Sequence, residues 1–142
     1  MFNKDIYKHI IEEYIPFHKI LGIELLEMEN GFASFFIPFK PELVGDPRTN
    51  RIHGGVISTA MDAAGGAAGM TTLGSEKDQI STIDIRVDYL YPGKPEAIIT
   101  EGRIVRDGKN VIFTKMNAHH PKSKEIIAEG RAVYRVKRIS DG

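Results

Sequence analysis

With 142 residues, 42% of them hydrophobic and 27% charged, the chain has the balance of one compact globular domain, 1–142, and too few residues for two. Nineteen Lys and Arg offset nineteen Asp and Glu, which leaves no basic footprint for nucleic acid and, at zero net charge, favours self-association. The absence of cysteine excludes disulfides, thiolate nucleophiles and cysteine-ligated zinc.

Residues 4–20 carry Ile6, Ile10, Ile11, Tyr14 and Ile15 at helical spacing, with Pro16 near the end, and predict an N-terminal helix over residues 1–20. Lys4, Asp5, Lys8, Glu12 and Glu13 deny this segment the apolar centre of a signal peptide, so a cytoplasmic location is expected. Strand-like runs over 23–28 and 32–38 flank Asn30-Gly31, a hairpin signal because both residues tolerate positive φ. Residues 38–52, with three prolines and one glycine, read as a loop longer than a connector needs, and such loops often carry function.

The stretch 56–73 is dominated by Ala and Gly and predicts a helix. It falls short of the ~20 apolar residues of a spanning helix and contains Asp62, so it reads as a buried helix, and no membrane partner is expected. From Thr82 to Tyr91 apolar and polar residues alternate with the period of a strand. Two further strands, 98–106 and 111–118, flank the turn signal Asp107-Gly108, and a last one runs over 126–136 before a tail at 137–142. Helix, hairpin, loop, helix and four consecutive antiparallel strands argue an α+β fold. Neither a Gly-x-Gly-x-x-Gly turn nor a Walker loop is present to bind nucleotide.

The central helix is costly by composition. Gly65, Gly66 and Gly69 each disfavour it by ~1 kcal/mol relative to Ala, so tertiary packing has to offset about 3 kcal/mol. Small residues all round suit a helix enclosed by a curved sheet, and the face Ala128, Gly130, Ala132 of the last strand is the expected place of close approach. Asp62 is the anomaly there, because a buried carboxylate needs partners. It either satisfies backbone groups at a kink or subunit seam, or it is a positioned base or nucleophile. His53-Gly54-Gly55 stands at the helix entrance, where free N–H groups and the positive end of the helix dipole suit an oxyanion. Asp62 lies seven residues after Gly55, ~10 Å along the axis, so a site completed across a dimer interface would bring both to one atom.

These residues resemble a known family. His53-Gly54-Gly55, the acid nine residues after the histidine, the strand Thr82-Ile-Asp-Ile-Arg-Val-Asp-Tyr-Leu-Tyr-Pro-Gly and Arg106-Asp-Gly-Lys look like the hotdog-fold acyl-CoA thioesterases of the PaaI type, over roughly residues 20–136. The resemblance implies a long central helix wrapped by a curved antiparallel sheet, in homodimers or dimers of dimers with shared active sites. It implies Asp62 as general base or nucleophile, Gly55 N–H as the carbonyl's donor, His53 and Gly54 as shapers of the turn, and Thr82 as the hydroxyl that holds the acid or its water. It implies neither metal nor prosthetic group, coenzyme A being part of the substrate. The family pattern puts an amide six residues before the histidine, where this chain has Pro47. Asp46 and Asn50 are the nearby substitutes, although a charged Asp46 would repel a carbonyl.

Arg106, Lys109 and Lys94 sit beside turns and are candidates for the phosphates of coenzyme A, against the plainer reading of solvated surface charge. His119 and His120 read as exposed polar residues, His9 and His18 share a helix face poorly, and Asp84, Arg86 and Asp88 suggest cross-strand charge pairs. Ser58 lacks a nucleophile elbow. The leading expectation is acyl-CoA thioester hydrolysis. A non-catalytic acyl-CoA sensor is the alternative, and a hydratase is disfavoured because no histidine follows Asp62 before His119.

Overall fold

A computed structural model describes residues 3–139. The N-terminal segment is not one helix. Helix α1 (Lys4–His9), capped by the Asn3 side chain, runs into a π-helical turn (Ile10–Tyr14), and α2 (Pro16–Leu21) starts afresh. Pro16 is the reason: its ring excludes the helical conformation from the residue before it, and Ile15 is extended (φ −83°, ψ 110°). The expected 137–142 tail contributes Lys137 to the last strand, while residues 140–142, like Met1 and Phe2, lie outside the described residues.

Strands β1 (Glu24–Glu29) and β2 (Phe32–Ile37) form the hairpin expected around Asn30-Gly31, but only Gly31 has positive φ (80°). The long loop is partly ordered into a 3-10 turn (Pro41–Leu43) and a small ladder of β3 (Val44–Asp46) and β4 (Arg51–Ile52). Helix α3 spans Gly54–Met70, two residues earlier at its start and three earlier at its end than its composition suggests. His53 sets the start by accepting the Gly55 N–H at its ring Nδ1 (2.8 Å). At the other end Thr71 Oγ1 donates to Ala68 O (2.6 Å) and accepts the Gly31 N–H (2.8 Å), tying the helix to the hairpin turn.

Four strands follow: β5 (Gln79–Tyr89), β6 (Ile98–Asp107), β7 (Val111–His119) and β8 (Ile126–Lys137). They are consecutive in the chain but not in the sheet, whose order is β1-β2-β6-β7-β8-β5. Because β6 is flanked by β2 and β7, β5 finds its partner in β8 and forms one edge. The antiparallel sheet wraps α3, as the α+β expectation has it.

Burial offsets the glycine penalty. Met61 and Ile57 of α3 are 0% and 2% exposed, and fully burying each such side chain contributes ~1.5–3 kcal/mol. The closest approach of helix and sheet is at Gly102 of β6 rather than on the β8 face. A Cβ at Gly102 would lie 2.5 Å from Ala64 O, whereas one at Gly130 would meet the Arg86 carbonyl of β5. Nor is α3 enclosed all round: Gly55 is exposed and Thr59, Asp62 and Gly66 are half-buried, a stripe at helical spacing. No helix among the described residues is long and apolar enough to cross a membrane.

Candidate active site

Asp62 lies on that stripe, and two hydroxyls converge on one of its oxygens. Thr82 Oγ1, from β5, donates to Oδ1 (2.9 Å), and Tyr134 OH, from β8, reaches Oδ1 (3.1 Å) and the Asp62 backbone carbonyl (2.7 Å). Register explains the convergence, since Thr82 and Tyr134 are directly paired across the β5–β8 ladder and face the helix together. Tyr134 is 2% exposed. Burial foremost, and the neighbouring Asp62 charge after it, push its hydroxyl pKa up, so it remains a donor. Oδ2 of Asp62 accepts no hydrogen bond among the described residues. Gly65 clears the path, because a Cβ there would sit 2.5 Å from the Tyr134 hydroxyl.

The second cluster is at the N-terminus of α3. A cleft of about 510 Å³ is bordered by Asp46, His53, Gly54, Ile57, Tyr89 and Tyr91. Tyr89 OH donates to Gly54 O (2.8 Å), locking the glycine turn to β5. The Gly55 N–H is not free, because it is held by His53 Nδ1. Asp62 lies seven positions after Gly55 along the helix, ~10 Å, so one chain does not bring them to a single atom.

The other expected site residues scatter. Asp46 borders the cleft, but it is bonded to Arg48 Nε (3.1 Å) and to the Arg48 N–H (3.0 Å). The Arg48 guanidinium holds the Asp46 carboxyl below its ordinary pKa, so it stays charged and suits a carbonyl poorly. Asn50 serves the turn between β3 and β4 in the left-handed conformation (φ 58°), which its short polar side chain tolerates, and does not border the cleft. Arg106 and Lys109 lie past the other end of α3: β6 runs alongside the helix, with Thr100 bonded to Ala60 O, and Arg138 bridges Lys109 O and Thr72. Lys94 lies nearer, in a groove of about 430 Å³ that shares Arg51, Tyr91 and Gly93 with the His53 cleft.

Two further readings are corrected. His120 is 4% exposed, accepting the Lys94 N–H at Nε2 (3.0 Å) and bonding Ala97 O through Nδ1 (2.9 Å); it staples the loop before β6. Among the described residues, Asp84, Arg86 and Asp88 make no cross-strand ion pairs. Arg86 bonds Asp88 on its own strand (3.3 Å), while the ladder sets it opposite Arg131. His9 and His18 form no pair either, since His18 Nδ1 bonds Ile11 O (3.0 Å) across the helix break. Among the described residues no group of His, Cys, Asp or Glu is placed to hold a metal. Tyr134 is the site residue that spacing alone misses. Its signal was a hydroxyl on the small-residue face of a strand, which has to find a partner once buried.

A family profile described as the thioesterase superfamily matches residues 49–127, a range that holds His53, Gly54, Gly55, Asp62 and Thr82 but ends before Tyr134. The medium/long-chain acyl-CoA thioesterase YigI of Escherichia coli K12 is 33% identical, with 87% of this chain and 86% of that protein covered. A crystal structure from Shewanella oneidensis, described as related to the thioesterase superfamily, superposes with a TM-score of 0.82 at 29% identity, over 94% of each chain. The thioesterase HI1161 of Haemophilus influenzae shares the fold at a TM-score of 0.84 and 17% identity, covering 98% of this chain and 93% of that one.

Proposed function

This chain belongs to the thioesterase superfamily, with its hotdog fold, and from that premise we propose that it hydrolyses an acyl-coenzyme A to the free acid and coenzyme A. The observation that carries the reading is the Asp62 carboxylate, anchored through Oδ1 by Thr82 and Tyr134 while Oδ2 has no donor among the described residues. Such a group takes the proton of an attacking water, or itself attacks the thioester carbonyl. The developing oxyanion is received by the Gly55 N–H of a second subunit, where it takes the place of the His53 ring nitrogen.

A homodimer supplies that geometry. β5 is a sheet edge, its Ile83 and Tyr89 are 58% and 50% exposed, and the half-open stripe of α3 lies beside it. Two copies joined edge to edge through β5 would cover both and set the Asp62 of one beside the helix entrance of the other. Arg51, on the His53 cleft, and Lys94, in the adjoining groove, are suited to the phosphates of coenzyme A. Arg106 and Lys109, beyond the far end of α3, would serve only a substrate entering from that end. Coenzyme A enters as part of the substrate, and the chemistry is carried by the chain's own groups.

The relative named for medium- and long-chain substrates sets the range in which to begin. Incubating the protein with acyl-coenzyme A esters of increasing chain length and a thiol reagent should release free thiol. Saturable binding without thiol release would instead favour a sensor, a reading suggested by Pro47 at the family's amide position and by the occupied Gly55 N–H.

A further inference from the structure

Three glycines interrupt α3 after Asp62, and the packing of the chain requires two of them. A Cβ at Gly65 would sit 2.5 Å from the Tyr134 hydroxyl, and one at Gly69 would sit 2.6 Å from Ile80 Cδ1. Among the described residues, a Cβ at Gly66 would come within 4 Å of Tyr134 Cε1 alone, at 3.5 Å, an ordinary van der Waals contact. Alanine would fit there and would favour the helix. The subunit's own packing therefore gives no reason for glycine at 66, and whatever needs the space comes from outside it. That space adjoins Asp62, since Gly66 lies one helical turn beyond the carboxylate on the half-open stripe. Asp62 also divides the stripe by polarity. Towards the helix entrance stand the Ser58 and Thr59 hydroxyls, both donating to Gly55 O (3.2 and 2.7 Å). Beyond Asp62 the half-buried residues are Ala63, Gly66 and Met70, with half-buried Ile80 of β5 beside them, all without a polar side-chain atom. Ile80 stands two residues before Thr82 on the same face of β5 and bears on Gly69. The N-terminal helix meets the far end, where Tyr7 OH donates to Met70 O (3.2 Å).

We infer that Gly66 is a specificity-determining residue, the opening over which a straight acyl chain runs from the thioester at Asp62 along α3 to Met70. The inference rests on the acyl-coenzyme A reading above and adds the path of the chain and its length. From Asp62 to Gly66 is ~6 Å along the helix, the span of about five extended methylenes, and to Met70 it is ~12 Å, the span of about ten. A short acyl group therefore ends before Gly66, whereas a long one has to cross it. Each methylene buried along this path strengthens binding about fourfold, and a side chain at 66 would stand where those methylenes lie. The change from hydroxyls to apolar groups at Asp62 gives the path its direction, because the acyl end of the substrate is its apolar end. A second copy joined through β5 would roof the stripe and leave the chain between the two subunits.

The test is kcat/KM of the full chain on butanoyl- and dodecanoyl-coenzyme A, for the wild type, Gly66→Ala and Gly66→Leu. Gly66→Leu should lower the dodecanoyl-to-butanoyl ratio by about tenfold or more, the value of roughly two buried methylenes. Gly66→Ala should lower it by a smaller factor, keep the wild-type mass in light scattering and melt a few degrees higher. A ratio unchanged in Gly66→Leu, or an equal loss on both esters, overturns the inference. So does a lower melting temperature or a reduced mass in Gly66→Ala, because the glycine would then serve the fold or the packing of subunits. Dissociation constants of the two esters, measured by calorimetry on the same proteins, separate this inference from the hydrolytic reading. If the wild type releases no thiol, hydrolysis fails, and the path is judged by binding alone. A dodecanoyl-selective loss of affinity in Gly66→Leu then sustains it, and an equal or absent loss overturns it.

Discussion

The hydroxyl of Tyr134 stands 3.1 Å from Oδ1 of Asp62 and 2.7 Å from the carbonyl of the same residue, so one buried side chain fixes both the helix turn and the carboxylate it carries. Tyr134→Phe keeps the ring in the core and deletes this donor. A hydrogen bond to a charged group contributes ~1.5–3 kcal/mol, so a fall in kcat of roughly 10- to 100-fold is expected with KM little changed. Steady-state kinetics on an acyl-coenzyme A ester separates the two parameters. A rise in KM alone would remove Tyr134 from the positioning of Asp62.

Gly65→Ala sets two effects against each other. Helix propensity favours alanine by ~1 kcal/mol, but the new Cβ would fall 2.5 Å from the Tyr134 hydroxyl. Tyr134 is enclosed and has few rotamers, so its hydroxyl yields and Asp62 loses an anchor. Activity should fall while thermal stability changes by only about 1 kcal/mol either way. Full activity would show that the hydroxyl tolerates displacement.

Much of this arrangement was legible in the sequence. Asp62 inside an Ala/Gly helix and His53-Gly54-Gly55 before it are local patterns, and the family resemblance pointed to Thr82; the structure joins Asp62 to Thr82 and caps the helix with His53. What stayed hidden depends on pairing distant in sequence. Tyr134 reaches Asp62 only because β5 crosses to the sheet edge beside β8, and Gly102 matters only because β6 lies under Ala64. The broken N-terminal helix is a different case. Pro16 announced it, and the continuous apolar spacing of residues 6–15 obscured it.

That break gives the N-terminal segment a pH dependence. His18 is half-buried against Ile11 O and packs edge-on to Phe35, and burial lowers its pKa below the ordinary 6.5. The folded chain therefore binds fewer protons at this ring than the unfolded chain, and the stability it contributes is lost as pH falls below about 6.5 towards the folded pKa. Melting temperatures measured between pH 7 and pH 5 should decline more steeply for the wild type than for His18→Gln. Parallel curves would show that the ring titrates alike in both states.

The catalytic assignment stands or falls on Asp62→Asn, which preserves the shape and the Oδ1 acceptor for Thr82 and Tyr134 while removing the charge. Turnover of an acyl-coenzyme A ester that the wild type cleaves should drop by ~10²–10⁴-fold, the usual span for an acid–base group, with assembly mass and fold unchanged. Wild-type turnover in that variant would contradict the role of Asp62 and move the chemistry elsewhere on the chain.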